Sequence, residues 1–386
     1  MDSLDTQYSR RLVAPDLARG FALLGIAIAN AITAWSGDAG ETGFGIVRNT
    51  ADSMAGLFGA MFVHVRGIAL FSTLLGYGIG MIYARELQKG HRATRVILRR
   101  YAWLAGFGVL HAIFLFWGDI MVFYGLAGMA MCLVVRLKDK ALLTIAAALA
   151  VVWIGVMGLL TALSVVMGGV IDMAKLNMAA PMVESYLDQL VAGAIIVASQ
   201  PLSFFGVIFM LGPCILVGFV AGRRGMMWHV PRYLPLLRAL ALITFGLCII
   251  LGAVWWFIGI NGMNTEAIVF INTAVGPLSG PGFLAMFALL AHWVERRGGV
   301  GEIFGAVAAL GSMSMSGYVA QSVLFGLIMA PYGLGVGYGG GAAYVTGVAV
   351  FVWLVTVLVA GFWRSLGKRG PVESIHRKVG YSPKLA

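Results

Sequence analysis

The chain has 386 residues, 60% of them hydrophobic and 11% charged, with a formal net charge of +11 at neutral pH. Soluble domains carry about 25% charged residues, so this composition excludes a water-dispersed globular monomer and requires most side chains to sit in lipid or in a helix bundle surrounded by lipid. The basic excess lies in short segments between apolar stretches, which points to membrane topology rather than nucleic-acid binding, and Cys132, Cys214 and Cys248 all fall in apolar stretches with no spacing of a disulfide framework, zinc site or redox pair.

About 20 mostly apolar residues cross a bilayer. In chain order that length predicts ten spans, at 20–36, 54–84, 98–117, 119–135, 141–168, 200–222, 235–259, 267–294, 303–330 and 342–363. The expected fold is an all-α polytopic bundle in one transmembrane domain covering residues 1–386. No cleavable leader is expected, because residues 1–20 are polar, contain Asp16 and Arg19, and lead into an apolar run long enough to span. The second, fifth, eighth and ninth stretches exceed one bilayer thickness and are expected to be tilted, broken or partly interfacial. Residues 183–199 are amphipathic and are expected on the membrane surface. The 53 glycines suit close approach of membrane helices.

Basic residues alternate between connections. They cluster at Arg10, Arg11 and Arg19, at Arg85, Lys89, Arg92, Arg95, Arg99 and Arg100, at Arg136, Lys138 and Lys140, at Arg223, Arg224, Arg232 and Arg238, at Arg296 and Arg297, and along the tail from Arg364 to Lys384. The intervening connections carry Asp38, Glu41, Asp52, Asp119, Asp172, Glu184, Asp188 and Glu266. The positive-inside rule then puts both termini in the cytoplasm, in keeping with an even span number. Of the 27 Lys and Arg residues only Arg48, Arg66 and Lys175 break the pattern. Arg48 and Lys175 read as single loop charges, whereas Arg66 lies inside an apolar stretch. Fragments such as GYGIG and GYGGG lack the strand–helix context of a phosphate loop, and no internal repeat is evident.

Ionisable groups inside a bilayer cost about 2.5–3.5 kcal/mol each and normally face a partner or a cavity. Asn30, in the outer half of the first span, reads either as part of a site or as a helix–helix hydrogen bond worth about 0.6 kcal/mol. His64 and Arg66 are two residues apart, so a continuous helix would aim them at nearly opposite sides. Arg66 is a candidate partner for Asp119 or for an anionic substrate group, and the alternative is that residues 53–65 form an interfacial helix. His111 and Asp119, with Tyr124 one turn later, suit a general base and the group that orients it. The alternative is a structural turn tying two helices. Tyr318, Gln321 and Ser322 fall in the ninth stretch, with Gln321 and Ser322 toward its outer side, and they suggest a polar cavity or helix-packing contacts. On the inner side Asp16 and Arg19, with Arg99 and Arg100, suit either a cytosolic anion such as a CoA phosphate or anchoring in the headgroup layer. His292 and His376 are expected at the solvated cytosolic surface.

DLARGFALLGIAIAN at 16–30, LFSTLLGYGIG at 70–80, HAIFLFWGDIMVFYGLAG at 111–128, GSMSMSGYVAQSVL at 311–324 and GPVESIHR at 370–377 occur in order along nearly the whole chain. Together they resemble the YeiB-like family of bacterial inner-membrane proteins (domain of unknown function 418). The last segment departs from the usual Gly-Pro-Leu-Glu-Trp pattern at Val372 and Ser374. That family is similar, at a distance, to membrane acyltransferases such as sugar O-acyltransferases and the lysosomal heparan acetyltransferase, which open with a like Asp-x-x-Arg-Gly motif. They carry an acyl group from cytosolic acyl-CoA to an acceptor on the opposite side. The resemblance implies an inner-membrane location, an acyltransferase-like arrangement, and a place near the acyl donor for Asp16, Arg19 and Gly20. The position of the catalytic His in many O-acyltransferases is Asn30 here. An Asn is no general base at neutral pH, but it can orient a thioester carbonyl, and His111 or His64 must then take the proton.

Three readings stay open. The first is an acyltransferase with His111, Asp119, Asn30 and His64 as catalytic candidates and Arg66, Tyr124, Tyr318 and Gln321 as substrate-binding candidates. It takes acyl-CoA as donor substrate, a small-molecule, glycan or lipid acceptor, and no permanently bound cofactor or metal. The second is a transporter or exporter of a small solute, with Arg66 and Gln321 lining a pathway, which a superposable pair of halves would favour. The third is a membrane protein without chemistry of its own. In each, the bilayer is the partner, nucleic acid is not, and a homo-oligomer stays open.

Overall fold

The computed structural model describes residues 12–37, 43–166, 183–260, 265–299 and 301–380. The charges at Arg10, Arg11, Asp38, Glu41, Asp172, Lys175 and Lys384, and the end of the fifth expected span, lie outside the described residues. In chain order the helices are α1 (Val13–Asn30), α2 (Thr50–Phe58), α3 (Arg66–Gln88), α4 (Ala93–Phe114), α5 (Met121–Ala130), α6 (Asp139–Val166), α7 (Tyr186–Arg223), α8 (Val230–Ile260), α9 (Thr265–Val275), α10 (Gly280–Arg296), α11 (Glu302–Ser312), α12 (Ser314–Ile328), α13 (Ala342–Ser365) and α14 (Pro371–Gly380). Among the described residues the one β contact is an isolated bridge between Ile46 and Gly341.

Among the described residues eight helical stretches are long and apolar enough to cross a membrane, or nine where the pair α11–α12, bent by 90° at Met313, is taken as one broken span. The chain is therefore an α-helical membrane protein. Large apolar side chains such as Leu159, Leu242, Ile243, Ile250 and Leu358 face outward, as lipid contact requires.

Two of the expected segments differ. The span expected at 119–135 is a short apolar helix, Met121–Leu133. At 1.5 Å per residue, 13 residues reach only about 20 Å, less than the hydrocarbon core. The reason lies in its hairpin with α4. The tip, residues 115–120, is roofed by α7. The Gln189 carboxamide donates to Ala112 O at 3.0 Å and accepts from Trp117 N at 3.3 Å, supplying the irregular backbone with partners that lipid cannot. Small residues close the hairpin seam: a Cβ on Gly108 would come within 2.4 Å of Val122 N, and one on Gly125 within 2.5 Å of Ala105 N. The second difference is at 183–199. This segment is not a separate surface helix but the start of α7, which runs 38 residues from a Ser185–Asp188 capping box through Pro201 and Pro213 to Arg223.

The expected second span is broken at residues 64–65. A π-helical turn, Gly59–Val63, follows α2, and Val65 takes a left-handed φ of 65° before α3 begins. A β-branched residue rarely adopts that conformation, so the surroundings must hold it. In the helix before the break, Asp52 accepts from Arg48 N at 3.0 Å and from Ala343 N at 2.9 Å, capping α13. Arg48 donates to Gly339 O at 2.7 Å, so this loop charge stitches two connections together.

Candidate functional site

The central core is built from α1, α3, α4, α5, α6, α7, α11, α12 and α13, and a small polar network sits inside it. About five turns into α4, His111 is 3% exposed; Asp119, in the hairpin turn, is 6% exposed; Ser322, on α12, is 3% exposed. His111 Nδ1 lies 2.7 Å from Asp119 Oδ2, and His111 Nε2 lies 2.9 Å from Ser322 Oγ. The other carboxylate oxygen of Asp119 accepts from Val122 N at 2.9 Å, so the start of α5 fixes the acid. The Tyr318 ring packs against the imidazole with centroids 4.9 Å apart, and its hydroxyl faces Asn30 and the Ile120 backbone. Asn30 is half-buried at the point where α1 passes into a π-helical turn, Ala31–Trp35. Such turns recur at functional sites.

The network's depth follows from helix rise. His111 is eleven residues beyond Arg100 along α4, about 16 Å at 1.5 Å per residue, and Ser322 is eight residues beyond Ser314, about 12 Å. Measured from Arg100 and Ser314, both distances are about half the thickness of a 30 Å hydrocarbon core.

A clamp at the foot of these helices holds them in register. Glu373 of α14 accepts from Met315 N at 2.7 Å and Ser316 N at 3.2 Å and from the Ser316 hydroxyl at 2.5 Å, a carboxylate on the N-terminus of α12. Three residues on, His376 Nε2 pairs with Arg100 O of α4 at 2.9 Å. The GPVESIHR segment thus joins the helix carrying Ser322 to the helix carrying His111. His376 is buried rather than solvated. Burial pushes its imidazole pKa below the ordinary value, an effect opposed by its hydrogen bond to the Arg100 carbonyl and reinforced by the Arg100 charge.

The other expected site residues lie elsewhere. Tyr124 donates to Ile68 O at 3.1 Å, accepts from the Ser72 hydroxyl at 3.3 Å and stacks on Phe71, so it ties α5 to α3. Gln321 is buried on the other face of α12, its amide 3.4 Å from Thr356 Oγ1 of α13, and its carbonyl oxygen has no hydrogen-bond partner. Arg66 does not meet Asp119. Its Nη1 donates to His64 O at 2.5 Å, the carbonyl freed by the helix break, and to the Asn272 side-chain oxygen. Asn272 in turn donates to Ala60 O at 3.1 Å. The His64 ring packs edge-on to Phe44 at 4.9 Å. Arg66 is nineteen residues from Arg85 along α3, about 28 Å, so this second cluster sits well above the first. The polar residues therefore form two groups and not one chamber.

At the N-terminal end of α1, Asp16 and Arg19 pair at 3.5 Å, with Asp16 buried and Arg19 partly exposed. Gly20 allows helix contact: a Cβ there would sit 2.3 Å from Val307 O of α11, and its carbonyl accepts from Trp353 Nε1 at 2.9 Å.

Ser322, Asn272 and Glu373 were not assigned these contacts by sequence reasoning. Gln321 and Ser322 are adjacent polar residues about 100° apart on a helix, and only the packing decides which faces His111. Asn272 lies in an apolar run with no partner visible along the chain.

Comparison with known proteins gives a family without an assigned activity. Residues 221–383 match the family described as Protein of unknown function (DUF418), in agreement with the resemblance carried by the motifs at 311–324 and 370–377. Over 408 aligned residues the chain is 24% identical to a Bacillus subtilis (strain 168) protein named Uncharacterized protein YxaH, covering 99% of this chain and 97% of the relative. No solved structure matches.

Proposed function

We propose that this membrane protein, whose residues 221–383 carry the DUF418 pattern, is an acyl-transferring enzyme working at mid-membrane depth. The reading is supported above all by His111, buried between a carboxylate and a hydroxyl at 2.7 and 2.9 Å. A carboxylate that accepts from Nδ1–H fixes the tautomer, leaves the Nε2 lone pair free for a proton, and stabilises the imidazolium that forms. An apolar helix bundle has no structural need for three mutually bonded polar side chains at its centre, because each costs desolvation.

In this reading His111 takes the proton from an attacking hydroxyl, and Asp119 holds the ring in place. Asn30 and Tyr318, on the same side of the imidazole, orient the acyl carbonyl and donate to the oxygen on which charge develops. The partly exposed Arg19, paired with Asp16 at the inner end of α1, meets a phosphate of the donor. The donor is an acyl-CoA reached from the cytosol, and the acceptor is a hydroxyl-bearing small molecule, glycan or lipid in the outer half of the bilayer. The basic connections favour cytoplasmic termini in a bacterial inner membrane. The short α5 still completes a return to the basic side, since Cys132 beyond its end lies 3.5 Å from Thr94 O at the start of α4.

The test is turnover of labelled acetyl-CoA by the purified protein in liposomes with outer-leaflet lipid and glycan acceptors. Release or transfer of label that falls about 100-fold in H111A supports the reading. Absence of hydrolysis, transfer and acyl-CoA binding by the folded protein removes it.

A further inference from the structure

We infer that Ser322 is the nucleophile of a two-step transfer and carries the acyl group as an ester between donor and acceptor. The inference rests on the acyl-transfer reading and deepens it, by naming the hydroxyl that His111 serves first.

Both ring nitrogens of His111 are engaged. Nδ1 faces Asp119 Oδ2 at 2.7 Å and Nε2 faces Ser322 Oγ at 2.9 Å. Asp119 spends its other oxygen on Val122 N, so its Oδ2 accepts the hydrogen bond from Nδ1–H and Nε2 is left as the acceptor. The hydrogen available between Nε2 and Ser322 Oγ is then the serine's own. A hydroxyl from an acceptor molecule cannot reach the Nε2 lone pair while Ser322 occupies that direction. The serine is the first group the base can deprotonate. The alternative acceptor for its hydroxyl, Tyr318 O, is farther away at 3.2 Å. The order nucleophile, base, orienting carboxylate is the arrangement that activates a serine elsewhere. Here it is drawn from three helical segments, α4, the α5 turn and α12.

The steps balance without a further reactant. Ser322 Oγ attacks the thioester carbonyl as its proton passes to His111 Nε2. The carbon–sulfur bond breaks, the thiol leaves with that proton, and an acyl-serine ester remains. Acylated Ser322 no longer donates to Nε2, so an acceptor hydroxyl can take its place. Its proton passes to His111, its oxygen attacks the ester carbonyl, and the bond to Ser322 Oγ breaks as the serine recovers the proton.

The experiment treats the full-length protein in detergent with diisopropyl fluorophosphate, which phosphorylates activated serines without any acyl donor, and maps the label by peptide mass spectrometry. The expected result is stoichiometric label on Ser322, with a rate that falls about 100-fold in H111Q. In parallel, S322A abolishes acyl transfer. S322C, checked for an unchanged melting temperature, is alkylated by iodoacetamide at a rate that falls when His111 is also replaced. An unlabelled Ser322, label undiminished in H111Q, or full acyl transfer by folded S322A overturns the inference. The two proposals fail separately. Label on Ser322 with acetyl-CoA untouched removes the thioester donor and leaves the nucleophile, whereas turnover that survives S322A removes the nucleophile and leaves the enzyme.

Discussion

The structure holds two separate buried polar clusters, and they differ in how completely their atoms are satisfied. In the His111 cluster the imidazole bonds to the Asp119 carboxylate on one side and the Ser322 hydroxyl on the other, and the second oxygen of Asp119 is taken by Val122 N. In the Arg66 cluster one guanidinium nitrogen is held by His64 O and Asn272, while Nε and Nη2 meet no hydrogen-bonding oxygen, with the Cys248 thiol as the polar group beside the guanidinium. His64 Nε2 and Trp255 Nε1 are buried without partners there too. The contrast shows what each cluster is built to do. A linear chain of matched donors and acceptors can change only by moving a proton, which is chemistry. A fixed cation that recaptures a carbonyl released by a helix break is architecture: it supports the left-handed Val65 and the turn before α3.

The largest effect that separates the two clusters is on turnover. Asp119→Asn keeps the shape of the site but presents the wrong tautomer to Nδ1, and acyl transfer should fall about 100-fold or more. Arg66→Gln, in the separate cluster at the start of α3, should leave the rate within about tenfold, a loss smaller than that of a general base. Equal losses in the two variants, measured with labelled acyl-CoA, would merge the clusters into one site.

The order of loss in stability should be the reverse. Asn272→Leu removes the side-chain acceptor of a buried guanidinium and the donor to Ala60 O. Hydrogen bonds to charged groups are worth about 1.5–3 kcal/mol, so unfolding in detergent should shift by about 2 kcal/mol while turnover per folded molecule changes little. If N272L melts like the wild type, the Arg66 cluster does not brace the break at Val65.

The sequence makes the membrane architecture legible because the bilayer imposes a length and a polarity on every span, and apolar runs and basic connections record both. It is less informative where protein replaces lipid. The hairpin tip at 115–120 reads as a loop at the surface, yet Gln189, from a helix some seventy residues on, roofs it and allows α5 to be short. The pairing of His111 with Asp119 is legible because a short turn brings them near each other. Ser322 is not, because it arrives from α12, 211 residues from His111, and nothing local distinguishes it from Gln321. The separation of His64 and Arg66 from that network is hidden for the same reason: their partner Asn272 is 206 residues from Arg66.

The clamp at the foot of the His111 cluster gives a smaller and graded test. Glu373→Ala uncovers two backbone N–H groups at the start of α12, a cap worth about 1 kcal/mol. Because α12 carries Ser322, labelling of the serine by diisopropyl fluorophosphate should slow along with the modest drop in melting temperature. The Arg66 cluster, fixed by α3 and α9, should not respond. A stability loss without any change in Ser322 reactivity would make the clamp purely structural.

The smallest effect comes from the other half of that clamp, and its sign is fixed by linkage. Burial lowers the His376 pKa and the Arg100 charge adds to the shift, so the folded protein holds a neutral ring at a pH where the unfolded chain is already binding a proton. The contribution of His376 is therefore complete above the unfolded value of about 6.5 and declines as pH falls through the window between the unfolded and folded values. Between about pH 7.5 and 5 the melting temperature of the wild type should drop further than that of His376→Asn, which has no ring to protonate. Parallel melting curves for the two proteins across this window would show that the clamp does not titrate. Glu373 alone would then hold the foot of α12 in place.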